Sequence, residues 1–222
     1  MSDLSRRRLL SMIGLAPLAG SVLSAGSALA APGRRSARSF GDAKPQSQAS
    51  ARESIHRRYF PDVTLVTQDG KRVRFYEDLV KDKIVTFNFF YAKCEGICPL
   101  VTTNLVQVQK LLGNQVGRDI FMYSFTLKPE EDTPAVLSDY RQMHQIGPGW
   151  TLLTGKPDDI EKVRRGLGFT YPNKQIDQDK SQHIGNIRYG NEPLMLWSAC
   201  PGMAHPKWIA ESISWVVRKD KA

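Results

Sequence analysis

Residues 91–99 read YAKCEGICP, two of the chain's three cysteines set three residues apart, with IVTFNFF before them at 84–90 and LVTTNLVQVQKLL after them at 100–112. The preceding run has the Val, Ile and Phe density of a strand buried on both faces. Pro99 suits a first helical turn, and Leu100, Val101, Leu105, Val108, Leu111 and Leu112 then recur at helical spacing. Cys94 and Cys98 therefore fall at a strand-to-helix junction. On one helical turn their Cα atoms are about 6 Å apart and share a face, which admits a disulfide, a shared metal ion or a redox dithiol. The last two uses need thiolate, and a helix N-terminus lowers a thiol's pKa. A purely structural disulfide is the weaker reading, because so short a loop adds little stability.

Outward from this junction, strand-like and helix-like segments alternate. VTLVTQDGKRVRF (63–75) reads as a hairpin turning at Asp69-Gly70. DIFMYSFTL (119–127) and WTLLTG (150–155) read as further strands. TPAVLSDYRQMHQ (133–145) is a helix with a Thr cap and Pro in its first turn, and KPDDIEKVRRGLG (156–168) a helix closed by glycine. HIGNIRYGNEPLMLW (183–197) reads as a second hairpin turning near Gly190-Asn191, and PKWIAESISWVVRK (206–219) as a last amphipathic helix. Such an order predicts an α/β, thioredoxin-like fold: a central, mostly parallel sheet flanked by helices, with N-terminal and C-terminal hairpins. Open α/β sheets do their chemistry at the carboxyl ends of strands, where the two cysteines fall.

The chain has 222 residues and a net charge of +9. Residues 1–52 hold +6 of it, and the remainder shows no basic stripe interleaved with aromatics, which argues against a nucleic-acid partner. Residues 1–30 have consecutive arginines, an uncharged run beginning at Leu9 and the small-residue sequence Ala28-Leu29-Ala30, the pattern of an export signal cut after Ala30. SRRRLL (5–10) is similar to a twin-arginine signal. Uncleaved, the same run is long enough to anchor the chain in a membrane, although Pro17 and its glycines and serines make a poor spanning helix. Either way the expected location is the bacterial periplasm. Residues 31–54, nearly devoid of large apolar groups, read as a flexible linker, and 55–222 as the folded domain.

FNFFYAKCEGICP (87–99) resembles the cysteine motif of the SCO/SenC family of thioredoxin-like copper proteins. TLKPEEDTP (126–134) looks like that family's segment ending in Asp-Thr-Pro, WTLLTG like its next strand, and QHIGNIRYGN (182–191) like the strand bearing its distal histidine. The resemblance implies copper held by Cys94, Cys98 and His183. Two thiolates and an imidazole are a soft donor set that suits copper and also accepts zinc. Lys128 stands where the family usually has an acid, Gln182 where it has Asp, and Ile184 where it has a small hydroxyl residue. Less negative charge near the metal disfavours its higher oxidation state and weakens acceptor contacts that use acidic groups.

The resemblance further implies a metallochaperone, a copper carrier more than a turnover enzyme. It would deliver copper to a respiratory copper enzyme, usually the binuclear site of cytochrome c oxidase, though the twin-arginine signal also admits another exported copper oxidoreductase; a thiol reductant would keep the cysteines reduced. The alternative is a thiol-disulfide oxidoreductase acting on a copper-site apoprotein through Cys94 and Cys98 alone. Its three-residue spacer departs from the two-residue spacer of thioredoxin-type reductases. A peroxiredoxin is less consistent, because no Thr stands in the expected place ahead of Cys94. Of the remaining candidates, His144 reads as a helix-surface residue and His56 as an exposed neighbour of the linker. Cys200, Met203, His205 and Met195 are a group of soft donors that reads as a loop with packing methionines more readily than as an accessory copper site. Cys200 itself is either a buried free thiol or a resolving thiol for Cys94.

Overall fold

The structure, a computed structural model, describes residues 48–180 and 185–217. Seven strands form one sheet in the order β2-β1-β5-β4-β3-β6-β7. The central strands β3 (Ile84–Phe90), β4 (Ile120–Thr126) and β5 (Trp150–Thr154) are parallel. Each edge is an antiparallel hairpin: β1 (Thr64–Thr67) with β2 (Arg72–Arg74), and β6 (Asn186–Asn191) with β7 (Leu196–Pro201). The α/β reading with terminal hairpins holds, and parallel pairing is confined to the three central strands. Every residue of β3 after Ile84 is buried, as its continuous apolar run requires.

Alternation along β3 assigns the two faces. Phe87 and Phe89 join Phe75, Phe125 and Phe169 on one face, beneath α1 (Gln48–Tyr59) and α4 (Pro157–Gly166). On the other, Phe90 packs on Tyr140 of α3 (Pro134–Met143), whose hydroxyl meets Thr102 of α2 (Cys98–Leu112) at 2.8 Å. Helix α6 (Pro206–Ser214) packs along α2. Helix α5 (Lys174–Gln178) and a π-helical turn at Phe75–Val80 complete the elements that bear on the site.

Two readings of the sequence change. Helix α1 begins inside the stretch 31–54 taken as linker, so residues 48–54 belong to the folded domain. Polar contacts, not an apolar stripe, hold it down. Arg52 Nε and Nη2 reach the buried Glu192 carboxylate at 2.6 and 2.5 Å, and that carboxylate also accepts from Tyr76 Oη and the Asp82 N–H at 2.8 Å each. The ring of His56, expected to be exposed, stacks on Tyr76 at 3.6 Å. In the second hairpin the turn lies at 192–195 and not at Gly190-Asn191. Gly190 is instead a strand residue that faces Trp197 across the ladder, where a Cβ would come within 2.2 Å of the indole. Residues 31–47 and the export segment 1–30 lie outside the described residues. Among the described residues, no helix is long and apolar enough to cross a membrane.

Candidate metal centre

β3 ends at Phe90, and the chain turns through Tyr91 so that the Cys94 N–H reaches the Tyr91 carbonyl at 3.2 Å. Cys98 is the first residue of α2, with Pro99 next to it, where a missing N–H leaves no helical bond unmade. Neither thiol is in a disulfide and both are buried, Cys94 7% and Cys98 2% exposed. The two sulfurs are hydrogen-bonded to each other. Cys94 Sγ also accepts from the backbone N–H groups of Gly96 and Cys98 and from the Tyr91 hydroxyl.

These contacts divide the two thiols. Burial pushes the Cys94 pKa up, but the bonds from the Cys98 thiol, the Cys98 and Gly96 N–H groups and Tyr91 together outweigh it, and Cys94 lies below an ordinary thiol. Cys98 lies well above, because burial disfavours its charge and its thiol donates to Cys94. Tyr91 is raised to about 12 by its bond to Cys94 and by burial. When the pair ionises, the charge thus falls on Cys94 and the proton stays on Cys98.

The surrounding loops are tied to this motif. The Asp132 carboxylate, 2% exposed, accepts from the Ala92 N–H at 3.0 Å and from the Thr126 hydroxyl. Asp132 therefore fastens the β4–α3 loop to the cysteine loop. Thr133 beside it caps α3. Lys128 Nζ lies 4.7 Å from the centre of the Tyr91 ring and 3.3 Å from Glu131. A cation thus stands next to the residue that hydrogen-bonds Cys94, as the departure at 128 implied.

His183, with Gln182 and Ile184, lies outside the described residues. The chain is described again from Gly185, where a Cβ would come within 2.5 Å of the Ile97 side chain, and Gly185 O accepts from the Gly202 N–H at 2.8 Å. Upstream, the approach to this segment is held by Arg164, whose guanidinium binds the Asp177 carboxylate at 2.7 and 2.8 Å, Glu161 at 2.8 Å and the Phe169 carbonyl at 2.6 Å. Among the described residues no three His, Cys, Asp or Glu side chains converge as a metal site.

The other candidates are not drawn together. Cys200 is buried in β7 opposite Ile187, its thiol raised to about 11 by burial. Met195 occupies the turn at the far end of that strand, Met203 is exposed, and His205 Nδ1 accepts the Lys207 N–H as the cap of α6. His144 closes α3 half-covered by Tyr140, with burial holding its pKa down. Sequence reasoning did not single out Tyr91, Asp132 or Arg164. Tyr91 lies in the cysteine motif three residues before its partner Cys94, and Asp132 lies in a second motif with its Ala92 partner 40 residues away; nothing marked Arg164.

Fold and site together define a thioredoxin-like domain with a cysteine pair at the first strand-to-helix junction of the parallel core. The SCO1/SenC family model matches residues 51–215, and the chain belongs to that family. It is 31% identical over 93 residues to the SCO1 protein homolog of Bacillus subtilis (strain 168), covering 41% of this chain and 47% of that protein. It is 27% identical over 123 residues to a SCO2-like protein of Rickettsia felis, covering 55% and 58%. The chain spans about half the length of these curated relatives. Among solved structures, a SCO1/SenC family lipoprotein from Bacillus anthracis str. Ames matches with TM-score 0.59 at 23% identity, over 70% of this chain and 93% of that one. Bradyrhizobium japonicum ScoI with copper bound matches with TM-score 0.55 at 24% identity, over 69% and 96%. BsSco, a member of the Sco family of cytochrome c oxidase assembly proteins with an identified disulfide switch, matches with TM-score 0.55 at 23% identity, over 69% and 90%. These likenesses establish the fold.

Proposed function

We propose that the protein is a periplasmic copper carrier that takes up one copper ion on Cys94, Cys98 and His183 and hands it to the apoprotein of a respiratory copper enzyme. The observation that carries this reading is the pair of buried, mutually bonded thiols, not joined in a disulfide, at the entry to α2. Two buried sulfurs held together before metal arrives suit Cu(I). His183 lies two residues before Gly185, and Gly185 packs on Ile97 at the mouth of the cysteine loop.

Capture begins at Cys94, the sulfur with the lower pKa, and completes when Cys98 gives up its proton to solvent. Release is the reverse exchange: donors of the client replace the two sulfurs one at a time, and Cys98 regains its proton. Membership of the family and the copper-bound ScoI neighbour support copper as the cargo. The Sco family's description as cytochrome c oxidase assembly proteins supports that oxidase as client, and the lipoprotein neighbour supports an exported location.

The split between the thiols favours one alternative, a thiol-disulfide oxidoreductase. Cys94 thiolate would attack a client disulfide, Cys98 would then displace the client sulfur, and the two electrons delivered would leave a Cys94–Cys98 disulfide to be reduced by an external dithiol. His183 separates the readings. In Cu(I) competition against a chelator, His183→Ala should weaken binding by about tenfold or more. Equal affinity for wild type and variant would move the assignment to the dithiol reductase.

A further inference from the structure

The sheet face opposite α2 carries a cavity of about 310 Å³ between α1, the end of α4 and strands β6 and β7. Its walls are aromatic and aliphatic. Trp197 lies parallel to Phe87 with ring centres 6.2 Å apart, Phe60 leans on Trp197 at 5.1 Å, and Tyr59 and Leu167 close the sides. Close packing of α1 on α4 at Gly166, where a Cβ would meet the Tyr59 carbonyl at 2.5 Å, leaves the opening between the helices and β7.

One charged group lines this cavity, the half-buried guanidinium of Arg188. It donates to the Gly168 carbonyl at 3.1 Å and lies over the Phe169 ring at 5.5 Å. Among the described residues it has no carboxylate partner, and no lining residue is acidic. A guanidinium has five N–H donors, so most of its capacity is uncommitted. A second cation, Arg58, lies over the Tyr59 ring at 5.3 Å. Removing a cation from water without a counter-charge is costly, and an anion entering the cavity would offset that cost.

We propose that this cavity binds an amphipathic monoanion, an aromatic ring or short acyl chain bearing one carboxylate, its apolar body between Phe60, Leu167 and Trp197 and its carboxylate on Arg188. The volume is at the lower end of small-molecule sites and fits a body of about a dozen non-hydrogen atoms. The site uses neither cysteine and is independent of copper.

The test is titration calorimetry of the full chain with 4-phenylbutyrate and with its neutral counterpart, 4-phenylbutan-1-ol. The acid should bind saturably and at least about tenfold more tightly than the alcohol. Arg188→Gln should erase that preference while Arg188→Lys retains part of it. Ala199→Trp, exposed and directly opposite Arg188 in the β6–β7 ladder on the cavity face, should block both ligands, and a Cys94→Ser/Cys98→Ser variant should bind the acid as wild type does. The proposal is overturned if acid and alcohol bind alike, if Arg188→Gln or Ala199→Trp keeps the wild-type affinity for the acid, or if no saturation is seen up to about 10 mM.

Discussion

At the scale of single residues, the chemistry follows from four hydrogen bonds converging on one sulfur. Cys94 accepts from Cys98, from two backbone N–H groups and from Tyr91, and so ionises ahead of Cys98. Because Cys98 must lose a proton when copper binds, Cu(I) affinity should rise with pH, by about tenfold per unit for each proton released. Competition titrations at pH 6, 7 and 8 measure this slope; a flat profile would mean that Cys98 is already ionised or is not a ligand. With metal absent, iodoacetamide should label Cys94 first and leave Cys200 unmodified until the protein unfolds, since burial raises the Cys200 thiol to about 11. Tyr91→Phe removes one donor and should raise the Cys94 pKa, slowing alkylation near neutral pH while leaving Cys200 unchanged. The cysteine pair was legible because both thiols fall in the short junction between a strand and a helix, but Cys94 lies in the loop before α2 and not on a shared helical turn, so helical spacing is not what brings them together. Asp132 was present in a quoted motif, but its bond to the Ala92 N–H spans 40 residues and no local pattern encodes it.

At the scale of elements, buried ion pairs hold the segments that frame the site. Arg164 is buried with Asp177, and their bidentate contact ties the chain after α4 down before it reaches residues 181–184. Arg164 holds the Asp177 carboxyl far below the usual range and Glu161 at about 2. Both shifts are depressions, so the unfolded chain binds more protons at acid pH. Their stabilisation is complete above the ordinary carboxylate pKa near 4 and is lost as pH falls toward 2. Urea midpoints between pH 6 and pH 2.5 should show that fall, and Asp177→Asn should cost roughly 3–5 kcal/mol at pH 7 while flattening the acid limb. Helix α1 follows the same logic. Its sequence lacks an apolar stripe and looked like linker, because what orders it is Arg52 meeting a carboxylate 140 residues away. Arg52→Ala should destabilise the domain by about 1–3 kcal/mol, measured by denaturant unfolding, since Glu192 would keep only its Tyr76 and Asp82 donors. The misplaced hairpin turn has a related cause: Gly190 resembled a turn residue, but its missing Cβ makes room for Trp197 inside the strand.

At the scale of the molecule, the sheet order puts the site together. β3 lies at the middle of the three-strand neighbourhood β4-β3-β6, so the cysteine loop leaves its carboxyl end beside the start of β6. Strand periods and the strand–helix alternation were local enough to be read from the sequence, and they indicated the α/β class and both hairpins. The order of strands across the sheet depends on long-range pairing, which no local pattern encodes. Family membership, the dithiol junction and the return of the chain at Gly185 all bear on one claim, that copper sits on Cys94, Cys98 and His183. X-ray absorption of the protein loaded with one equivalent of Cu(I) tests it most directly. The account predicts two sulfur scatterers and one nitrogen scatterer for the wild type, with the nitrogen lost in His183→Ala and the sulfur shell unchanged in Cys200→Ala. A wild-type spectrum with no nitrogen neighbour, or a sulfur shell that diminishes in Cys200→Ala, would contradict it.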